Sequence, residues 1–598
     1  MDQNGYAGKI LRINLSDSNV LIEETPKDFI DHLGGICYGA KYLYETLGKG
    51  VDPLSPENPL MFLTGPITGT EVLMSGRHAV VSKSPLTGIF GYAMCGGFFG
   101  YRLKRCGFDG IIFQGKASSP KALFLSEDKA ELIDVSNWWG MDNREIRKII
   151  QNKYPKSPFL SIGTAGENQV PIAGIIDGDY RNHGRTGMGA VMGSKNLKAI
   201  IATGNKKILV HDAEGIKKLN KAVLDNIKID FIKKTLVDNY KKYGTGALFG
   251  LSHLMGNLGI KNWAERRWDD HIKICAQELH KLYVNGRYYC YRCFIGCGRT
   301  ISNNSEVEDG AGPEYESMAA LGSLVLNKDP KALVEINHLC NDLGIDTISA
   351  GGIIAYIMEC SEKGLINENI PWGDSNKIKE ILIKISKKEE GLGEILCYGV
   401  KKASEIIQNS GDFAINVKGM EIPMHDPRIS SMGLAYATST RGACHLQAQT
   451  SLKFLPIKEF KLTMSSSAAQ YIKKVQDWNQ VLDSLCMCKF GIYPQGPILA
   501  TQVSEYYKLV TGRKLSPNGL RKIGEKSFNI ERLFNIREAG LNRKDDILQN
   551  RFLEKYATFS EDLEMYYRRR SWTQKGIPRK AILEKRGIPI PDWLTAEE

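Results

Sequence analysis

Three cysteines in one short stretch, Cys290-Tyr-Arg-Cys293-Phe-Ile-Gly-Cys297, constrain this chain more than any other feature. A Cys-x-x-Cys pair brings two sulfurs close enough to share a metal centre, and a third cysteine four residues on can close around another corner of a cuboidal cluster. Three ligands from one loop and a distant fourth are a common way to hold a 4Fe-4S cluster. The alternatives are a structural zinc site and unliganded thiols. Zinc usually brings a second Cys-x-x-Cys or paired histidines, whereas Cys340 and Cys360 stand alone on helical-looking stretches. Cys486-Met-Cys488 offers two candidates for a fourth ligand, and spacing does not choose between them. The remaining cysteines are single and read as small buried hydrophobes.

At 598 residues the chain is too long for one core, so about two to four domains are expected. No apolar run is long enough to span a bilayer, and Met1–Asn14 lacks the basic start and apolar stretch of a signal peptide. A cytoplasmic address is the expectation. Thirteen cysteines without such a signal argue against a disulfide framework. The net charge of +12 is spread along the sequence. Without an arginine-rich arm or a nucleic-acid motif it suits an acidic protein partner better than nucleic acid.

Texture divides the chain into three, at 1–210, 211–417 and 418–598. The first part is glycine-rich, with short β-type runs at Ala79–Ser82, Gly110–Gln114 and Ala199–Ala202 separated by turn signals such as Ser84-Pro85-Leu86-Thr87-Gly88. Helical periodicity then takes over, at Ala213–Leu224, Lys331–Asp342, Ser466–Leu485 and Glu561–Arg570. The expected class is α+β: a sheet-rich N-terminal cofactor-binding domain followed by two mainly helical domains. No internal repeat is visible in the sequence.

Two glycine-rich segments in the first part suit an anion. One runs from Ser75-Gly76-Arg77 to Met94-Cys95-Gly96-Gly97-Phe98-Phe99-Gly100, the other from Arg181-Asn182-His183-Gly184-Arg185 to Gly193. Glycines let successive backbone amides approach a phosphate, and arginines at the edges add charge-assisted bonds. Neither has Rossmann or P-loop spacing. Each alone could be a tight turn; together they point to a large phosphorylated cofactor.

The ordered set of motifs resembles the tungsten-containing aldehyde:ferredoxin oxidoreductase family over essentially the whole chain. It comprises Gly5-Tyr-Ala-Gly-Lys-Ile-Leu-Arg-Ile-Asn-Leu15, Ser82-Lys-Ser-Pro-Leu-Thr-Gly88, Gly189-Ala-Val-Met-Gly-Ser-Lys195, Gly312-Pro-Glu-Tyr-Glu316, Lys418-Gly-Met-Glu-Ile-Pro423, Asp426-Pro-Arg428 and Asn542-Arg-Lys-Asp-Asp546. The resemblance implies a tungsten bis-pyranopterin, with molybdenum the alternative metal, phosphates bridged by Mg2+, and a nearby 4Fe-4S cluster. It makes Cys290, Cys293 and Cys297 cluster ligands. The family's Asp-x-x-Gly-Leu-Cys frame fits Asp483-Ser-Leu-Cys486-Met-Cys488, so Cys488 becomes the fourth ligand and Cys486 replaces a glycine. The companion frame, which contacts the other pterin, fits Asn341-Asp-Leu-Gly344-Ile-Asp346, with Asn341 in place of an aspartate. Arg77, Gly96, Gly97, Arg181, Asn182, Gly184, Asn341, Asp346 and Asp483 are the cofactor-binding candidates. Met94 stands where an asparagine near the magnesium is usual, and a thioether is a poor ligand for that cation.

Motif position makes Glu314 and His445 the catalytic candidates beside the metal, with Glu316 as the alternative carboxylate. Cys444 could touch the metal or merely pack, and His425 stands where tyrosine is common. Glu335 and His338 share a helix face, and the family can use that pair from two subunits to hold a mononuclear metal at a dimer axis; two polar surface residues are the plain reading. The expected activity is oxidation of an aldehyde with water to the acid, electrons passing to a ferredoxin from a homodimer. Alternatives are a related tungsten enzyme reducing an acid or aromatic thioester with partner subunits, and an iron–sulfur electron-transfer protein without tungsten.

Overall fold

Strands dominate the first 202 residues because their apolar side chains alternate between two different cores. The computed structural model describes residues 4–178, 181–301, 307–429, 431–449, 467–492 and 496–594. Six strands form one sheet: β1 (Lys9–Asn14), β2 (Asn19–Glu24), β3 (Leu60–Leu63), β4 (His78–Lys83), β5 (Phe90–Cys95) and β6 (Gly110–Gln114). Leu11, Ile13, Leu60, Phe62, Val80, Ile111 and Phe113 enter one core. Ile10, Met61, Leu63, Ala79, Val81 and Ile112 enter another. A sheet covered on both faces reads as short apolar runs, which is how Ala79–Ser82 and Gly110–Gln114 stood out.

The second sheet contains β7 (Lys121–Ser126), β8 (Lys129–Asp134), β9 (Phe159–Ser161), β10 (Ile175–Asp177), β11 (Arg181–His183) and β12 (Leu197–Ala202). Leu123, Leu125, Leu160 and Ile200 join the core that also holds Leu11 and Phe62, so the two sheets pack face to face. The first sheet has the order β2-β1-β6-β3-β4-β5, and the second, read from its β8 edge, runs β8-β7-β12-β9-β10-β11. Adding six to each strand number converts one into the other. The pairing sense matches as well: β1 with β6 and β7 with β12 are parallel, and the other neighbours are antiparallel. The expectation of no internal repeat therefore needs correction. The repeat lies in topology, which a sheet can keep while side chains diverge, because its ladder bonds are made by backbone.

Beyond residue 210 the periodic segments are helices, at Ala213–Ile229, Pro330–Leu343, Ala468–Ser484 and Phe559–Arg570. Their starts are set by side-chain caps: Asp212, Asp329 and Ser467 each accept a bond from the first-turn backbone. Ser466 of the expected helix lies outside the described residues. A small three-stranded sheet of β13 (Val284–Tyr288), β14 (Gly298–Ile301) and β15 (Gly310–Ala311) interrupts the helices, and the cysteine loop connects β13 to β14. Sheets first and helices after is the expected α+β arrangement.

Two helix-terminating turns land on the sheets in equivalent places. The turn after Ala468–Ser484 rests on Gly65, two residues past β3: a Cβ there would lie 2.3 Å from Ser484 O. The turn after Pro330–Leu343 rests on Gly163, two residues past β9, where a Cβ would lie 2.5 Å from Asp342 O. Both obstacles are backbone and cannot swing aside. Gly65→Ala and Gly163→Ala should each cost about 1–3 kcal/mol, the usual range for overpacking. Thermal unfolding checks this; melting temperatures unchanged in both variants would show that the turns do not bear on these glycines.

Candidate functional site

Backbone bonds tie the two segments that carry cysteine ligand candidates to one residue of the first sheet's loops. Met74 N–H donates to Arg292 O inside the cysteine loop (2.9 Å), and Met74 O accepts from Cys488 N–H (2.9 Å). Met74, Arg292 and Cys486 all adopt positive φ, at 65°, 52° and 57°. Close contact on the other side needs glycine. A Cβ on Gly96 would stand 2.6 Å from Cys290 Sγ, and one on Gly76 2.7 Å from Tyr291 N. Cys290, Cys293, Cys297 and Cys488 consequently border one cavity of about 310 Å3. Cys486 is buried behind it, with its Sγ 3.8 Å from Leu63 O. Among the described residues, no three His, Cys, Asp or Glu side chains gather closely enough to hold a single ion.

Buried cations surround the sulfurs. Arg181 Nη2 lies 3.9 Å from Cys297 Sγ, and its guanidinium stacks on Tyr288 at 5.0 Å. Burial pushes the Cys293 thiol up to about 11 and raises Cys290 and Cys297 as well, while neighbouring arginine charge pulls the latter two down. A second cavity of about 230 Å3 shares Arg77, Arg181, Asn182, Glu314, Glu316 and His445 with the first. It adds Met94, Gly96, Gly184, Asn341, Asp346 and two further arginines, Arg185 and Arg441. Several buried polar atoms of this shell have no hydrogen-bond partner among the described residues: Nε of Arg77, Arg181, Arg185 and Arg441, and Oδ1 of Asn182. Such orphans cost free energy unless a ligand meets them.

Of the remaining cofactor candidates, Gly97 and Asp483 sit behind the lining, and Asp346 is part of it. A Cβ on Gly97, at φ 107°, would stand 2.8 Å from Asp177 Oδ2. Asp483 accepts from Lys489 Nζ at 2.8 Å and lies 3.4 Å from Tyr92 OH. Asp346 caps the helix Thr347–Glu362 through Ile348 and Ser349 N–H, and lies 3.5 Å from Arg185 Nε.

The two carboxylates of Gly312-Pro-Glu-Tyr-Glu316 have different surroundings. Glu314 accepts from the Thr245 hydroxyl and lies 3.8 Å from Arg181 Nη1. Glu316 is the one beside the histidines: its Oε1 is 3.6 Å from His445 Nε2 and 3.4 Å from His425 Nε2. Its Oε2 accepts from Met424 N–H at 2.8 Å. Burial pushes the Glu316 carboxyl up to about 7, with Asp346 adding to the rise and Met424 N–H and Arg185 opposing it. Burial also lowers His445 well below its ordinary value, helped by nearby His425, and brings His425 down to about 4. Both rings are neutral at pH 7, facing a carboxyl group near its midpoint. Cys444 is buried and accepts from Arg441 Nη2 at 2.6 Å, so packing accounts for it.

Glu335 and His338 do not converge within the chain. Glu335 pairs with Lys379, whereas His338 is buried with Nε2 3.1 Å from Ala311 O. Arg185, Arg441, Lys489, Thr245 and Asn257 escaped sequence reasoning as site residues. Each is a lone polar residue without diagnostic spacing; only the placement of Arg185 inside a glycine-rich loop hinted at its role.

The family model described as aldehyde ferredoxin oxidoreductase, N-terminal domain, matches residues 10–204, and that for domains 2 and 3 matches residues 222–588. The tungsten-containing aldehyde ferredoxin oxidoreductase of Pyrococcus horikoshii is 35% identical over 97% of this chain and 98% of its own. An aliphatic sulfonate oxidoreductase WOR-like subunit of Pyrococcus furiosus is 29% identical over 98% of this chain and 97% of its own. Among solved structures, the active site complex BamBC of benzoyl coenzyme A reductase superposes with a TM-score of 0.84 at 26% identity, covering 98% of this chain and 97% of that one. Matched from its first sheet to its last helices, the chain belongs to the aldehyde ferredoxin oxidoreductase family and is an oxidoreductase.

Proposed function

We propose that this enzyme oxidises an aldehyde with water to the carboxylic acid at a tungsten bis-pyranopterin, and passes the electrons through a 4Fe-4S cluster to a ferredoxin-type carrier. One observation carries this reading: Glu316 is buried between two neutral imidazoles, on the wall shared by the cysteine-lined cavity and the cation-lined one. The residues present fit the cofactors. Unpartnered arginine and amide atoms suit a polyanionic pterin phosphate, and four cysteines bordering one cavity suit a multi-iron cluster better than one zinc ion. Asn182 Oδ1 is an oxygen of the kind Mg2+ takes, whereas Met94 is not. The same unsatisfied donor atoms argue against an iron–sulfur protein without tungsten.

Bound there, the metal would supply the two-electron redox step. The chain's own residues handle the protons. Glu316, as carboxylate, accepts a proton from water or the hydrated aldehyde through Oε1. Neutral His445 hydrogen-bonds the substrate oxygen through Nε2 and relays a proton outward. Glu314, held by Thr245 and Arg181, positions the arginine beside Cys297 and takes no proton in this scheme. Tyr240, Leu248, Leu251, Met255 and Phe490 on the cavity wall exclude water and admit a small apolar substituent. On the outer side of the cysteine loop, Tyr291 stacks on Tyr101 at 4.0 Å, among Arg102, Arg105 and Arg292. That surface suits an acidic electron carrier.

The domain division near 210 and 417 goes with this reading, since candidate ligands come from all three parts. Glu335 lies on the part-exposed face of its helix and is the member of its pair that a second subunit would meet in a homodimer. Reduction of an acid or aromatic thioester with partner subunits is the competing reading, supported by the likeness to the benzoyl coenzyme A reductase complex. A viologen-linked panel of aldehydes and thioesters on tungstate-grown, anaerobically purified enzyme separates the two.

Glu316→Gln and His445→Asn should each lower aldehyde oxidation by roughly two to four orders of magnitude, with tungsten and iron retained. The losses should be non-additive if one proton transfer needs both. Full turnover in a metallated Glu316→Gln enzyme would refute the assignment.

The wild-type rate should rise with pH through about 7, as the Glu316 carboxyl loses its proton. This limb should disappear in whatever activity Glu316→Gln retains. A rate that falls through the same window would make the protonated carboxyl the active form and reverse the proposed direction.

For the cluster, Cys488→Ser should remove most of the electron paramagnetic resonance signal, and Cys486→Ser should leave it. The opposite pattern would exchange the two roles.

A further inference from the structure

We infer that His425 is a positioning residue locked by Asn257 into a single tautomer, with its ring proton on Nε2, the nitrogen 3.4 Å from Glu316 Oε1, and that this N–H dipole, close to the carboxyl without a formed hydrogen bond to it, sets how tightly the carboxyl holds its proton. The inference rests on the proposed role of Glu316 and extends it to residues that share no motif with it.

The argument runs inward from the backbone. Asp426 N–H donates to Asn257 Oδ1 at 3.0 Å. A backbone N–H can only donate, so this bond fixes the amide oxygen on that side and leaves the NH2 group facing His425. Asn257 Nδ2 is 3.3 Å from His425 Nδ1. Being a donor, it requires Nδ1 to be the accepting nitrogen, which places the single ring proton of neutral His425 on Nε2. That nitrogen lies 3.4 Å from Glu316 Oε1. The ring cannot rotate freely out of this arrangement: it stacks on Tyr315 with centroids 5.0 Å apart and planes 19° apart. Tyr315 is itself held by its hydroxyl on Met424 O, at 2.9 Å. The other groups facing this carboxyl are His445 Nε2, Met424 N–H, Arg185 and Asp346.

A neutral N–H donor favours the carboxylate over the acid. Asn257, His425 and Glu316 all line the larger cavity, so the donor acts where substrate would enter. His425 is kept neutral by burial, which brings it down to about 4. It therefore tunes Glu316 without adding a charge that would hold the carboxyl ionised throughout the working pH range.

The test titrates Glu316 directly, without turnover. The holoenzyme's infrared carboxyl C=O band, assigned by its loss in Glu316→Gln, is followed across pH in three further variants. His425→Phe keeps the stacked ring and removes the donor; its midpoint should rise by about one pH unit. Asn257→Leu frees the tautomer and should raise the midpoint by a smaller amount. His425→Gln restores an N–H donor and should return it toward the wild-type value. The same order should appear in the pH dependence of kcat/KM. Midpoints unchanged in both His425→Phe and Asn257→Leu would overturn the inference, as would a rise in His425→Gln equal to that in His425→Phe. Full turnover in Glu316→Gln would instead sink the assigned role of Glu316 while leaving the band shifts as a test of the coupling.

Discussion

Everything at the centre of this enzyme depends on backbone lying directly on backbone. Met74 joins the cysteine loop to the Cys488 segment through its own N–H and C=O. Gly65 and Gly163 provide floors on which the two helix-ending turns rest. A side chain at Gly65 or Gly163 would push a helix-ending turn off its sheet. The cost is visible in the conformations tolerated there. Cys486 sits at φ 57°, where a residue with a Cβ pays about 1 kcal/mol or more.

The second organising fact is buried guanidinium groups whose donors are only partly used. Arg77, Arg181, Arg185 and Arg441 are drawn into the interior beside thiols and carboxylates that do not use all their donors. A buried guanidinium is expensive when incompletely bonded, so the shell is arranged for something the polypeptide does not itself provide. The proposed pterin phosphates are that complement. The acid–base group follows a different rule: Glu316 and its two histidines sit where burial favours neutral forms, which keeps them titratable or uncharged near pH 7.

Much of this was legible in the sequence, for physical reasons that differ by feature. The strands at Gly110–Gln114 and Leu197–Ala202 were readable because burial on both faces demands continuous apolar runs. The helix Pro330–Leu343 was readable from its periodicity as Lys331–Asp342, whereas its cap, Asp329, was not picked out in the sequence. The cysteine loop stood out because three cysteines so close in the chain place their sulfurs near one another, and the fold brings Cys488 to the same cavity. The choice between Glu314 and Glu316 was not readable: two residues apart in sequence, they differ only in what the fold brings to them, Thr245 and Arg181 for one, His425 and His445 for the other. Asn257 was equally silent, since a single amide acquires its task from the orientation that Asp426 imposes. The doubled sheet escaped because its order is stored in hydrogen-bond topology.

The turn that carries Cys488 has one more consequence, for the order in which the molecule is assembled. Cys37 N–H is satisfied by Ser484 Oγ, a partner 447 residues further along the chain. During synthesis both sheets leave the ribosome long before that partner exists, and domains fold as units from the N-terminal end. The floor formed by Gly35 and Gly65 thus stays uncovered until the helix Ala468–Ser484 arrives. Loop closure over such a separation is among the last events of folding. The nascent chain therefore passes through a stage in which both sheets are complete while the surface at Gly35 and Gly65 is still bare.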